Sequence, residues 1–224
     1  MQQAIKLAFA FETDSTFYLT LDCDILCIRP CKLSDFVFNG KANTGVETTE
    51  TYEALYTASF AATELKRKRE RYSNSATLLK MNASPEPRNS FYSETPVVLN
   101  SLYVRDLLEY IAELYDRSWI EVLLNRAGWS EYGLYFQFCE LRCLMQRSFG
   151  LGNSRTILDL DSSVWQRNGA YKSARSYSIE SLLFAQSKNT GAFISIQSWL
   201  PPPDPGYLRI SRPSFASIAT FACF

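Results

Sequence analysis

Along this chain, short β-prone apolar runs alternate with longer stretches whose apolar residues recur every three to four positions. Ile5, Leu7, Phe9 and Phe11 fall at every second position, which favours a short opening strand over a short helix. Residues 17–28 form a run rich in Phe, Tyr, Leu and Thr, the signature of a buried strand, and Arg29-Pro30 stops it because proline cannot donate to a central ladder. A short apolar segment at 33–38 ends at the turn pair Asn39-Gly40. Residues 51–79 predict a helix with a break near 72–75, and 82–90 a loop. Further on, the spacing predicts a short strand at 97–99 and an amphipathic helix at 102–114. Helices are also predicted at 119–124, closed by Ala127-Gly128, and at 131–145. A strand at 191–200 runs into the rigid segment Pro201-Pro-Pro-Asp-Pro205. The alternation predicts one layered α/β domain over 1–210, with 211–224 as a loose tail.

Composition narrows the chemistry. The 224 residues carry 23 basic and 23 acidic side chains, so no general electrostatic pull toward nucleic acid is implied. No apolar run is long enough to predict a membrane span, and the first residues do not read as a signal peptide. Histidine is absent, which removes histidine bases and histidine metal ligands. Cys23, Cys27 and Cys31 recur every four residues, which is not zinc-ribbon spacing, and Cys23 and Cys27 read as small buried hydrophobes within the apolar run. The basic run at 66–71 suits a phosphate-binding or nuclear-localisation patch, or more simply the solvated side of a helix. Asn82-Ala-Ser84 matches a glycosylation acceptor pattern, a faint hint of a secretory compartment.

The candidate site begins with Asp22 and Asp24. Charged carboxylates seldom interrupt an apolar strand unless they are paired or metal-bound. Two apart, they converge on one face of a strand, or sit at its carboxyl end if the strand turns there. Two carboxylates plus phosphate oxygens suit Mg²⁺ or Mn²⁺, although a D-x-D triplet also commonly caps a turn. The same triplet at Asp159-Leu-Asp161 is followed by Ser162 and Ser163 and reads as a loop.

Five segments carry a resemblance: Gln2-Gln-Ala-Ile-Lys-Leu7, Phe17-Tyr-Leu-Thr-Leu-Asp-Cys-Asp24 with Arg29-Pro30, Glu94-Thr-Pro-Val-Val-Leu99, Trp129-Ser-Glu-Tyr-Gly-Leu-Tyr135 and Phe193-Ile-Ser-Ile-Gln-Ser198. In this order, over residues 1–200, they resemble a group of glycosyltransferase-like proteins. That group looks like a branch of the metal-dependent nucleotide-sugar transferases with the GT-A fold. The resemblance implies a Rossmann-like mixed sheet flanked by helices. It also implies a nucleotide-sugar donor and a glycan, lipid or protein acceptor, in the secretory pathway or Golgi lumen or in the cytoplasm. In that fold the nucleotide-binding βα units precede D-x-D by tens of residues. Here Asp22 stands near the start, so those units are expected to be missing and the domain truncated.

On that resemblance Asp24, with Asp22, would hold Mn²⁺ or Mg²⁺ against the donor diphosphate. Glu131, just after the helix cap Ser130, is the candidate base for an inverting transfer; the alternative is that it only complements the helix dipole. Trp129 and Tyr132 are candidates for a sugar platform, with core packing as the alternative. Thr95 would line the acceptor side, and Gln197 and Ser198 would meet ligand at a strand end. The competing expectation is a catalytically inactive transferase-like binding or scaffold protein.

Overall fold

The structure is a computed structural model that describes residues 2–55, 58–82, 87–151, 157–158, 163, 178–188 and 191–196. Eight helices and nine short strands occur among them. The first part of the chain holds α1 (Gln2–Ala8), β1 (Phe17–Thr20), β2 (Ile25–Cys27), β3 (Val37–Phe38), β4 (Lys41–Thr44) and β5 (Val46–Thr48). Then come α2 (Thr49–Leu55), α3 (Ala58–Leu78), β6 (Ser90–Tyr92), β7 (Val97–Asn100), α4 (Ser101–Tyr115) and α5 (Trp119–Leu124). The rest are α6 (Glu131–Leu141), α7 (Met145–Ser148), β8 (Phe149–Leu151), α8 (Ile179–Lys188) and β9 (Phe193–Ser195). The fold is mixed α/β with small sheets. β1 pairs antiparallel with β7 and β2 with β9, while β4 pairs antiparallel with β3 and parallel with β8. β5 and β6 form a fourth, antiparallel pair. No helix among the described residues is long and apolar enough to cross a membrane.

The opening segment is helical, against the alternation that favoured a strand. Ala4, Leu7 and Ala10 are the buried positions, spaced by three, while Ile5, Phe9 and Phe11 stay exposed. Two small alanines flank Leu7 on the face that packs, while the other large apolar residues lie off it. The run at 17–28 is split into β1 and β2 by a turn in which Ile25 N–H donates to Asp22 C=O at 3.2 Å. The helix expected to break near 72–75 runs through: the Ser75 hydroxyl donates to Arg71 C=O and the Thr77 hydroxyl to Ser73 C=O, so the polar side chains bond within the helix. The helix starting at Glu131 ends at Leu141, short of the expected 145, and Cys143 takes a left-handed conformation at φ 55°. The Asn39-Gly40 turn holds, with φ 51° and 72° joining β3 to β4. Asp159, Asp161, Gln197, Ser198, the proline segment and the 211–224 tail lie outside the described residues.

The main core gathers Leu7, Leu99, Leu107, Leu108, Ile111, Leu134 and Phe136, so α1, β7, α4 and α6 share one interior. β7 is buried at every position, which suits a strand packed on both faces. A second cluster, Tyr52, Ala61, Leu65, Tyr72 and Phe91, holds α2 and α3 against β6. Beside it the basic run is a solvated face at Lys66, Arg67, Glu70 and Arg71, interrupted by one buried lysine. Lys68 is buried and donates to Glu47 Oε2 at 2.5 Å and to the Tyr52 hydroxyl at 2.8 Å. Arg69 bonds Arg88 C=O and the Asn89 side chain, and Arg71 pairs loosely with Glu94.

Replacing one member of a buried ion pair strands its partner, which costs more than the intact pair contributes. Lys68→Met therefore lowers unfolding free energy by about 2–3 kcal/mol, since Glu47 keeps some solvent access. Urea denaturation checks this, and a change within about 0.5 kcal/mol, the range of an ordinary surface substitution, contradicts it.

Candidate functional site

Three segments meet at one nitrogen. Lys6 lies on α1, three residues after Gln3 and therefore on the same helix face. Its ammonium donates to Asp22 Oδ1, to Glu131 Oε1 at 2.7 Å and to the Tyr132 hydroxyl at 2.9 Å. Gln3 donates to the Trp129 carbonyl at 3.0 Å. One face of α1 thus grips both the turn after β1 and the first turn of α6.

Each side of the grip is held from behind. The Tyr18 hydroxyl donates to Lys6 C=O at 3.0 Å, and the Thr20 hydroxyl to Val97 C=O at 2.9 Å. Thr95, followed by a cis peptide to Pro96, accepts from Asp22 N–H at 2.9 Å. Ile196 N–H donates to Asp24 C=O at 2.8 Å, bringing the end of β9 to the same turn.

On α6 the stretch Ser130 to Tyr135 divides its labour. Ser130 caps the helix by accepting from Gly133 N–H at 2.9 Å. Glu131 and Tyr132 turn to Lys6, and Leu134 is fully buried. The Tyr135 hydroxyl accepts from Asn100 N–H at 2.9 Å, tying α6 to the end of β7. Gly133 has a steric reason: a Cβ there would sit 2.8 Å from Ser130 Oγ and 3.3 Å from Ser75 Oγ.

The electrostatics follow from burial. The Lys6 side chain is only 9 % exposed and that of Glu131 6 %, while Asp22 keeps 38 %. Burial alone would lower the Lys6 ammonium; Tyr132, Glu131 and Asp22 overcome this and hold it above the usual lysine range. Burial pushes Tyr132 up to about 12, against the pull of Lys6. Asp24 is raised by burial and then by the charge of Asp22, which its own backbone N–H and Lys6 offset only in part. Two carboxylates near enough to repel make a place where a cation is stabilised.

The structure therefore brings Asp22, Asp24, Thr95, Glu131 and Tyr132 to one locality. Trp129 joins them through its carbonyl only: its indole is buried in the main core and donates to Leu123 and Arg126 carbonyls at 3.1 and 3.2 Å. Gln197 and Ser198 are outside the described residues, though Ile196 before them reaches the Asp24 turn. Lys6, Gln3, Tyr18 and Thr20 had no place in the expected site. The available signal was the Gln3/Lys6 spacing of three, legible only once the segment is read as a helix. Among the described residues, no three acidic or cysteine side chains form a group that could hold a metal. A groove of about 450 Å³ near Asp35, Phe38, Lys41 and Gly150 does not include the acids.

The chain belongs to a family of unknown function, DUF6492, whose family model matches residues 1–205. No curated protein and no solved structure matches it.

The signs of these shifts predict the pH behaviour. A raised lysine contributes stability fully below its ordinary value near 10.4 and loses it as pH climbs through the raised one. Lys6→Met should therefore blunt the alkaline loss of stability seen in the wild type above about pH 10.4. For Asp24 the raised value means ionisation opposes folding, a cost absent below the ordinary carboxylate value and complete above the raised one. Asp24→Asn should raise the metal-free melting temperature at pH 7 by about 1–2 °C, within the usual scale for a small stabilisation. A fall of several degrees contradicts the repulsion between Asp22 and Asp24.

Proposed function

We propose that this chain carries the acid-lined centre of a metal-dependent glycosyltransferase of GT-A type. It transfers a sugar from a nucleotide-sugar donor to a hydroxyl of a glycan, lipid or protein acceptor. The observation that carries this reading is the meeting of the D-x-D turn with Glu131 and Tyr132, from segments more than a hundred residues apart, around Lys6.

The donor set fits a hard cation. Asp22 and Asp24 follow an apolar strand, repel one another, and together provide the one or two protein carboxylates that Mg²⁺ normally takes, water and phosphate oxygens completing its shell. When bound there, Mn²⁺ or Mg²⁺ neutralises charge on the diphosphate leaving group. The chain's own residues do the rest. Asp24 is the principal ligand, because Lys6 already engages one Asp22 oxygen. Thr95 fixes the Asp22 backbone and sets the shape of the turn. Glu131 accepts the acceptor hydroxyl's proton, which corresponds to inversion at the sugar carbon. Lys6 bridges Glu131 and Asp22 and so sets their separation. Tyr132 stays protonated at neutral pH and donates or accepts beside them.

A second reading, a binding protein of the same architecture without turnover, is favoured by one observation: Glu131 is 6 % exposed and already paired with Lys6. A paired, buried carboxylate is a poor proton acceptor.

Asp24→Asn should abolish Mn²⁺-dependent binding of a sugar nucleotide in titration calorimetry while the circular dichroism spectrum stays unchanged. Undiminished metal-dependent affinity would remove Asp24 as a ligand. Glu131→Gln should lower turnover by about 10²-fold or more with donor affinity nearly unchanged. Near-normal turnover with a lower melting temperature would instead make Glu131 a structural partner of Lys6.

A further inference from the structure

Cys23 and Cys27 are not the buried hydrophobes their apolar setting suggested; they and Cys31 are exposed and none of the three is bridged. Two of them are held together. Cys27 ends β2, and the chain then bends at Arg29-Pro30. The bend is anchored at Ile28, which is buried, donates its N–H to Ala192 C=O at 2.9 Å and accepts from Gln186 Nε2 at 2.6 Å. Beyond the bend the Cys31 side chain meets that of Cys27 in a hydrogen bond, and Cys27 Sγ also donates to Arg29 C=O at 3.1 Å.

We propose that Cys27 and Cys31 are a modification site, a vicinal dithiol that closes to an intramolecular disulfide on contact with a disulfide oxidant. The ordering entropy that usually opposes closure is reduced beforehand, because the Ile28 anchor fixes the bend and the two side chains lie near one another. Both thiols are open to an incoming reagent, unlike the fully buried Cys139.

The chemistry balances with oxidised glutathione. The Cys27 thiolate attacks one glutathione sulfur, forming a mixed disulfide and expelling a glutathione thiolate. Cys31 then loses its proton and attacks the Cys27 sulfur, expelling the second thiolate. Two protons and two electrons leave the protein, and one glutathione disulfide becomes two thiols. Burial, Cys27 and Asp35 push the Cys31 thiol up, which suits it to the second, intramolecular step, where proximity offsets its low thiolate fraction.

The test uses the full chain, treated with oxidised glutathione and then alkylated. Digestion on the amino side of aspartate releases residues 24–34, in which Cys27 and Cys31 are the only cysteines. The expected peptide is lighter than the reduced form by two hydrogens and takes up no alkylating reagent. Cys27→Ser and Cys31→Ser should each abolish this product and leave a stable glutathione adduct on the remaining cysteine, while Cys23→Ser should leave it intact. These are exposed positions, so melting temperatures should stay within a few degrees of wild type, as surface substitutions do. The proposal is overturned if the wild-type peptide keeps two alkylatable thiols, or carries glutathione on both cysteines, under conditions that oxidise exposed Cys143.

Discussion

One ammonium group ties this molecule together. Lys6 reaches the turn after β1 and the first turn of α6, and through them every segment of the candidate site. Taking a lysine to 9 % side-chain exposure costs several kcal/mol in desolvation, which is recovered only when good acceptors surround it. Here two carboxylates and a phenol do so, and the net gain is smaller than either large term. The consequence is specificity more than stability. α1 cannot slide along α6 by a turn without separating Lys6 from Glu131 and Gln3 from the Trp129 carbonyl together.

The same device recurs in the second core. Lys68 is as buried as Lys6, and Glu47 and Tyr52 satisfy it as Asp22, Glu131 and Tyr132 satisfy Lys6. Arg88 repeats it at the α6 surface, with both guanidinium arms on Glu140 and Tyr92 donating to the same carboxylate. In a chain without histidine, no imidazole charge changes near these pairs across the neutral range. Asp24 differs: burial and then the charge of Asp22 raise it, and among the described residues no cation is bonded to it as Lys6 is to Asp22. It is the carboxylate with most to gain from a ligand that brings positive charge.

Much of the fold could be read from residue order, and the failures have physical causes. The helix at Trp119–Leu124 and the strand at Val97–Asn100 follow their patterns because packing and local preference agree there. The opening segment misled because Ile5, Phe9 and Phe11 face solvent while Ala4 and Ala10 join Leu7 on the buried face. That error also hid Lys6, since a strand would not place Gln3 and Lys6 on one face. Asp22 and Asp24 stood out because charge interrupts an apolar run, whereas Glu131, Thr95 and Tyr132 were named only through the family resemblance. Trp129 was misplaced as a platform because an indole next to a cap looks the same in sequence whether it faces ligand or core. The basic run is the mostly solvated face its composition suggests, but net charge along a helix does not reveal that one lysine in the series meets a glutamate from another strand.

The candidate site depends on Lys6 and Glu131 being energetically one unit. A double-mutant cycle with Lys6→Met, Glu131→Gln and the pair, each measured by urea unfolding at pH 7, tests this directly. The double mutant should lose less stability than the two single losses combined, by about 1–3 kcal/mol, because one change already forfeits most of what the other would. Additivity within about 0.5 kcal/mol, the behaviour of independent sites, would contradict it.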